Sequence, residues 1–393
     1  MDFTPTEEQA AAQELAARIF GDLSTHERLV AAGTGTDAEL WKALCMAGLP
    51  AAVEDIGLLG LVLLLEEQGR TTAQTPFAAT CVYGLLPVAA HGTEEQRARL
   101  LPALREGTAV ATGALPAHAS IRPVRSLQSD GPASSARLTG SAPLVPWLRD
   151  ATHVLVADAE RALWLVRTAD AEVAPVETTA PWAAGRLELS ETPAERLGGP
   201  GAYGSVLAMS RTAFAGLQAG VCAGSLARAV EHTSTREQFG RPLSTNQGVL
   251  LRAADAHMDT EAIRVTAYEA AWRQDEGLDA TAEALTAAWW ASEAGKRVVH
   301  AGQHLHGGTG ADLDHPVHRH FLWGRQLDAY LGCGSELLAE LGKSLAEKPA
   351  EPTQPTGPRQ PTGRTQPTDP TQPSESMEST ELIDLKEPSR ESR

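Results

Sequence analysis

Few residues in this 393-residue chain have the types and spacing that chemistry needs, and most fall late in the sequence. In DAYLGCGSELL (328–338), Cys333 sits between two glycines and Glu336 follows it by three positions. A thiol there could be a nucleophile, but no histidine is paired with it in sequence and nothing marks a lowered pKa. In REQFGRPLSTNQ (236–247), Arg236 offers a planar cationic fork that suits a phosphate group. In HLHGGTG (304–310), Gly307 and Gly308 would let the backbone approach a ligand closely. Six of the twelve histidines fall within 300–320: His300, His304, His306, His315, His318 and His320. His300 and His304 share a helix face at a spacing of four. No Glu or Asp stands between them, unlike the HExxH arrangement, so no metal site is expected.

The totals narrow the functions further. The charge balance of 33 basic against 50 acidic residues gives −17, which disfavours general nucleic-acid binding. Cys45, Cys81, Cys222 and Cys333 are far apart and form no CxxC pair, as in a reducing cytoplasm. MDFTPTEEQ is acidic where a signal peptide would be basic and apolar. The most apolar run, IGLLGLVLLLEE (56–67), is too short to span a bilayer and reads as a buried helix. A cytoplasmic protein with no membrane or nucleic-acid partner is expected.

The elements that must position these residues follow from periodicity and punctuation. Residues 1–107 read as an N-terminal helical domain, with TPTEEQ and GTEEQ as helix starts. Residues 108–200 read as a central β domain of short strands, with a hairpin at THVLVADAERALWLV. Residues 201–346 read as a four-helix bundle. Its second helix is expected to be capped by Ser244 or Thr245 and stopped by Gly277. HPVHRHFLWGRQLDAYLGCGSELLAELGKSL supplies the fourth helix. Residues 347–393, with a recurring QPT, hold too few apolar residues to offset ordering entropy and are expected to be a disordered tail. The short ELIDL within it could be a docking motif.

REQFG, the following Gln247 and HLHGG, separated by two helices, resemble the acyl-CoA dehydrogenase family, as do LWKALCMAGL, GTEEQRARLLPAL and LTGSAPLVPWLRDATHVLVADA. The resemblance covers roughly residues 1–346. It implies a mainly α fold with a central β domain: an N-terminal helical domain, a small β-barrel and a C-terminal four-helix bundle. It also implies an FAD-dependent oxidation of an acyl-CoA thioester to the α,β-enoyl-CoA. There a carboxylate takes the α-proton and the β-hydrogen leaves as hydride to the flavin. Carried over, Arg236, Gln238, Phe239, Gln247, His304, Gly307 and Gly308 would contact the pyrophosphate and adenosine end of a neighbouring subunit's FAD.

The chain departs from the family where the reaction itself would occur. The family's Tyr-Glu-Gly corner is Tyr330-Leu331-Gly332 here, and leucine accepts no proton. The other known base position, before an Arg on the first bundle helix, is Ser210 before Arg211. The Thr-Glu-Pro…Gly-Ser-Asp flavin stretch reads GALPAHASIRP (113–123), which keeps only Pro116 and Ser120, and His304 replaces a Gln. The resemblance therefore points to the base-lacking subunit of heteromeric (α2β2) actinobacterial steroid side-chain acyl-CoA dehydrogenases. A sibling subunit would supply the catalytic Glu, and electron-transfer flavoprotein would accept the electrons. The alternatives are a homo-oligomeric enzyme with a relocated base, Glu336 being the nearest candidate, and an inactive assembly subunit. AAVEDIGLLG (51–60) looks short beside the family, which would open a pocket to bulky rings.

Overall fold

The computed structural model describes residues 2–124 and 135–347. The tail and its ELIDL stretch lie outside the described residues.

Seven helices come first: α1 (Glu7–Leu23), α2 (His26–Ala32), α3 (Ala38–Met46), α4 (Leu49–Thr71), α5 (Phe77–Thr80), α6 (Leu86–His91) and α7 (Glu94–Arg105). The starts of α1 and α7 are capping boxes, Thr6 with Gln9 and Thr93 with Gln96. Each box satisfies two backbone donors that helix geometry leaves orphaned. One π turn, Cys81–Leu85, joins α5 to α6. The stretch 51–60 forms no loop. It lies inside α4, which bends at Gly57 (φ 72°). Asp275, at the far end of another helix, accepts from Leu58 N (2.7 Å) and Leu59 N (2.9 Å) and so caps the second half of α4 from outside.

The strands are β1 (Ala111–Ala114), β2 (Arg122–Pro123), β3 (Ser135–Val145), β4 (His153–Ala157), β5 (Leu163–Arg167), β6 (Glu172–Pro175) and β7 (Gly185–Leu197). They form one sheet in the order β1-β4-β5-β7-β3-β2, with β6 also on β7. The sheet curls around a core of Ile121, Leu138, Val154, Val156, Trp164, Val166 and Leu187. The expected hairpin is β4–β5. Asp158 organises its turn by accepting from Glu160 N and Ala162 N, both at 2.9 Å, and from Trp164 Nε1 at 2.8 Å. The short β2 and β6 had no signal in the sequence.

The chain then returns to helix: α8 (Ala202–Thr235), the small hairpin β8 (Glu237–Gln238) and β9 (Arg241–Pro242), α9 (Gln247–Asp275), α10 (Thr281–Leu305), α11 (Pro316–Leu327) and α12 (Gly334–Glu347). Two expectations are corrected. The N-cap of α9 is Asn246, and its side chain makes no cap bond; the Thr245 hydroxyl donates instead to Pro242 O at 2.7 Å. The single fourth helix is two helices, α11 and α12, because Gly332 takes φ 118° between them, a conformation that only glycine adopts cheaply.

α8 is long and apolar enough to cross a membrane, but 72% of its most apolar stretch is packed inside the protein. It lies against α4 so closely that a Cβ at Gly220 would collide with the Glu66 carbonyl. His320 of α11 fills the space left by Gly224 of α8, and its Nε2 donates to Arg70 O at 2.9 Å. Burial lowers the His320 pKa from 6.5 to about 4. A depressed folded-state pKa means that the unfolded chain takes the proton first. The contribution of His320 is therefore present above the unfolded value and lost as pH falls from 6.5 toward 4. The loss approaches roughly 3 kcal/mol at the acid end. Urea midpoints at pH 7 and pH 4.5 should show a shallower acid decline for His320→Gln than for the wild type. Parallel declines would contradict this assignment.

Candidate functional site

The corner after α11 is an apolar plug. Leu331 is 6% exposed and belongs to the main hydrophobic core. Beside it, six rings pack on one another: Tyr83, Trp147, Trp182, Phe214, Trp323 and Tyr330. Trp147 stacks on Trp182 at 4.4 Å, Phe214 meets Tyr330 edge-on at 4.9 Å, and the Tyr83 and Tyr330 hydroxyls are 2.9 Å apart. The hollow left among Phe214, Tyr330, Leu331, Leu337 and Arg211 measures about 20 Å³. That is room for about one water, not for a flavin ring or a thioester.

Among the described residues no carboxylate lines this hollow. Ser210, at the second family base position, is fully buried and donates to Val206 O at 2.7 Å. Glu340 is held by Arg211 in a bidentate pair at 2.9 and 2.7 Å, which lowers its pKa. Glu336 is exposed and accepts from Cys333 N at 3.0 Å, a bond that lowers its pKa as well. It is the cap of α12's first turn. Cys333 contacts the Ser335 hydroxyl at 3.3 Å. On the β side, the Ser120 hydroxyl is spent on Ser141 O at 2.7 Å.

The second set of residues lies at the opposite kind of surface, open and unpaired. α8 ends at Arg236, whose carbonyl accepts from Leu243 N at 2.9 Å, folding β8–β9 back toward the start of α9. Arg236, Gln238, Gln247 and His304 are exposed and make no side-chain hydrogen bond or ion pair among the described residues. Phe239 is 99% exposed at φ 55° on the hairpin tip. After α10 the chain turns at Gly307 (φ 62°) into the 3-10 turn Gly307–Ala311. Gly308 has no such backbone requirement, and nothing inside the chain lies within 4 Å of where its Cβ would stand. An open cradle with an unpaired guanidinium at its rim fits the phosphate end of a dinucleotide cofactor.

What joins the two segments was missed in the sequence. His232, one turn before Arg236, stacks on His306 with centroids 4.7 Å apart, and His306 meets His315 at 4.9 Å. His306 is 5% exposed, and its Nδ1 lies 2.7 Å from Gly302 O. His306 directly precedes Gly307 in the sequence, and His304, two positions earlier, is exposed. Among the described residues no group of three or more His, Cys, Asp or Glu is placed to hold a metal ion.

Residues 6–108 match the N-terminal domain, and residues 198–345 the C-terminal domain, of acyl-CoA dehydrogenase. Acyl-CoA dehydrogenase FadE27 of Mycobacterium tuberculosis is 35% identical over 89% of this chain and 100% of its own length. Among solved structures, the Tcur3481-Tcur3483 steroid ACAD superposes with TM-score 0.81 at 39% identity, over 87% of this chain and 98% of that one. The ChsE4-ChsE5 complex from Mycobacterium tuberculosis superposes with TM-score 0.82 at 31% identity, over 89% of this chain and 100% of that one. The chain belongs to the acyl-CoA dehydrogenase family, whose members are FAD-dependent oxidoreductases acting on acyl-CoA.

Proposed function

We propose that this chain is the base-lacking subunit of a heteromeric acyl-CoA dehydrogenase. It holds the pyrophosphate and adenosine end of an FAD through Arg236, Gln238, Phe239, Gln247, His304, Gly307 and Gly308. A sibling chain supplies the catalytic Glu and the room for the ring and the thioester. The observation that carries this is the corner at Leu331, buried beside a hollow of about 20 Å³, with each nearby carboxylate already committed to a cap or an ion pair. When bound, FAD supplies the hydride acceptor. This chain's residues only hold and orient its far end. Glu336 as a relocated base is disfavoured, since a general base needs a raised, not a lowered, pKa and a path to the substrate.

The likeness to chains of a ChsE4-ChsE5 complex and of a steroid ACAD supports an α2β2 arrangement and a steroid side-chain CoA thioester as substrate. Electron-transfer flavoprotein would then take the electrons, and four free thiols suit a reducing cytoplasm. Co-expression with a sibling dehydrogenase that carries a Glu at either base position should give a co-purifying, flavin-bearing and active complex. A chain that turns over acyl-CoA alone would refute the proposal.

A further inference from the structure

Beside the Gly307 turn lies a cluster of one arginine and three histidines that no family motif requires. Arg228 and His232 are four apart on α8 and so share one face. His306 of α10 stacks on His232, and His315, at the start of α11, meets His306 edge-on. Arg228 is half-buried, yet it makes no hydrogen bond or ion pair among the described residues. Its nearest acid in sequence, Glu231, is exposed and forms no bridge with it. A partly desolvated guanidinium with five donors and no acceptor is costly, and such groups are ordinarily paired. Arg228 also lies almost two turns inside the end of α8, too far in to serve as a helix-dipole partner. His315 Nδ1 accepts from Val317 N at 3.2 Å, which leaves its Nε2–H as a donor.

We propose that Arg228, His232, His306 and His315 form an oxyanion pocket that takes a phosphate group. The chain as a whole carries −17, so an arginine left without an ion-pair partner among the described residues is not explained by composition. Burial and the charge of Arg228 both lower the pKa of His306 and of His315. An arriving anion offsets that penalty by favouring the charged imidazoles. The charged groups facing the pocket are Arg228, Glu231 and His232 from α8, His306 from α10, Asp312 and His315 before α11, Arg319 and His320 within α11, and His26 from α2. Asp312 opposes the effect at His315 only. Arg319 is already spent on Gln74 Oε1 at 2.6 Å.

The test is a calorimetric titration of the purified full chain with inorganic phosphate, without partner or flavin. The wild type should bind saturably at pH 7. Arg228→Met should weaken binding at least tenfold, while Arg228→Lys retains part of it. Without phosphate, Arg228→Met should be no less stable than the wild type, since it removes an uncompensated charge, so a folding defect is told apart from lost binding. Absence of saturable binding by the wild type, or equal binding by Arg228→Met, overturns the proposal. FAD content of the partnered complex then separates the sources. A fall in Arg228→Met assigns the phosphate to the cofactor, and unchanged content assigns it to a free phosphate compound. Because the titration uses the chain alone, its failure leaves the heteromer reading untouched.

Discussion

Arg236→Ala should lower the FAD affinity of the assembled complex by roughly 10- to 150-fold, the range that loss of a charged hydrogen bond of about 1.5–3 kcal/mol gives. The same substitution should leave the stability of the chain within about 0.5 kcal/mol of wild type. The reason is that the Arg236 side chain is exposed and makes no hydrogen bond or ion pair among the described residues, so its contribution goes outward. Flavin released on dilution, measured by fluorescence, together with a urea midpoint of the same sample, reads both quantities. Arg236→Lys should recover part of the affinity, since it keeps the charge and loses the fork. Undiminished flavin binding in Arg236→Ala would remove Arg236 from the cofactor site.

The largest effect on stability is expected at the junction of α4 and α9. The Glu66 side chain is 2% exposed, and Arg264 Nε, at 3.0 Å, is its one ion-pair partner among the described residues. Arg264 is itself bridged to Glu261. Arg264→Leu leaves the buried carboxylate uncompensated, which costs about 3–5 kcal/mol. Burial already pushes the Glu66 pKa up. A raised folded-state pKa gives stability below the unfolded value that is lost as pH rises through the folded one. The defect of Arg264→Leu should therefore be greatest at neutral pH and shrink as pH falls and Glu66 takes a proton. Arg264→Leu combined with Glu66→Gln should be less destabilised than Arg264→Leu alone, because no bare charge is left. Urea unfolding of the wild type and the two variants at pH 5 and pH 7.5 tests this. A pH-independent defect would show that Glu66 is not the group left bare.

How far the sequence carried these conclusions depended on whether the signal was local. The Thr6 and Thr93 caps and the β4–β5 turn are written in a few adjacent residues, and the structure places them where those residues suggest. The loss of a base at Leu331 and Ser210 was equally legible, because it needs only residue identity. The non-local features were not. The cap that Asp275 places on Leu58 and Leu59 joins positions more than 200 apart. The six-ring plug draws Tyr83, Trp147, Trp182, Phe214, Trp323 and Tyr330 from five separate stretches, and no periodicity relates them. The stack of His306 on His232 joins positions more than 70 apart, which no local pattern relates.

The reading changes the meaning of the missing carboxylate. Restoring a Glu at position 331 would place an acid in an apolar core beside a hollow of about 20 Å³, and would not make room for a ring or a thioester. The corner is apolar and closely packed among the described residues, which is the observation behind the proposal that a sibling chain supplies the base.

The most direct measurement is flavin per chain, with acyl-CoA turnover, for this protein purified alone and after co-expression with a base-bearing sibling. The account predicts neither bound flavin nor turnover alone, and fewer flavins than chains in an active complex, with turnover abolished by replacing the sibling's Glu with Gln. One FAD per chain and turnover from this protein alone would contradict it.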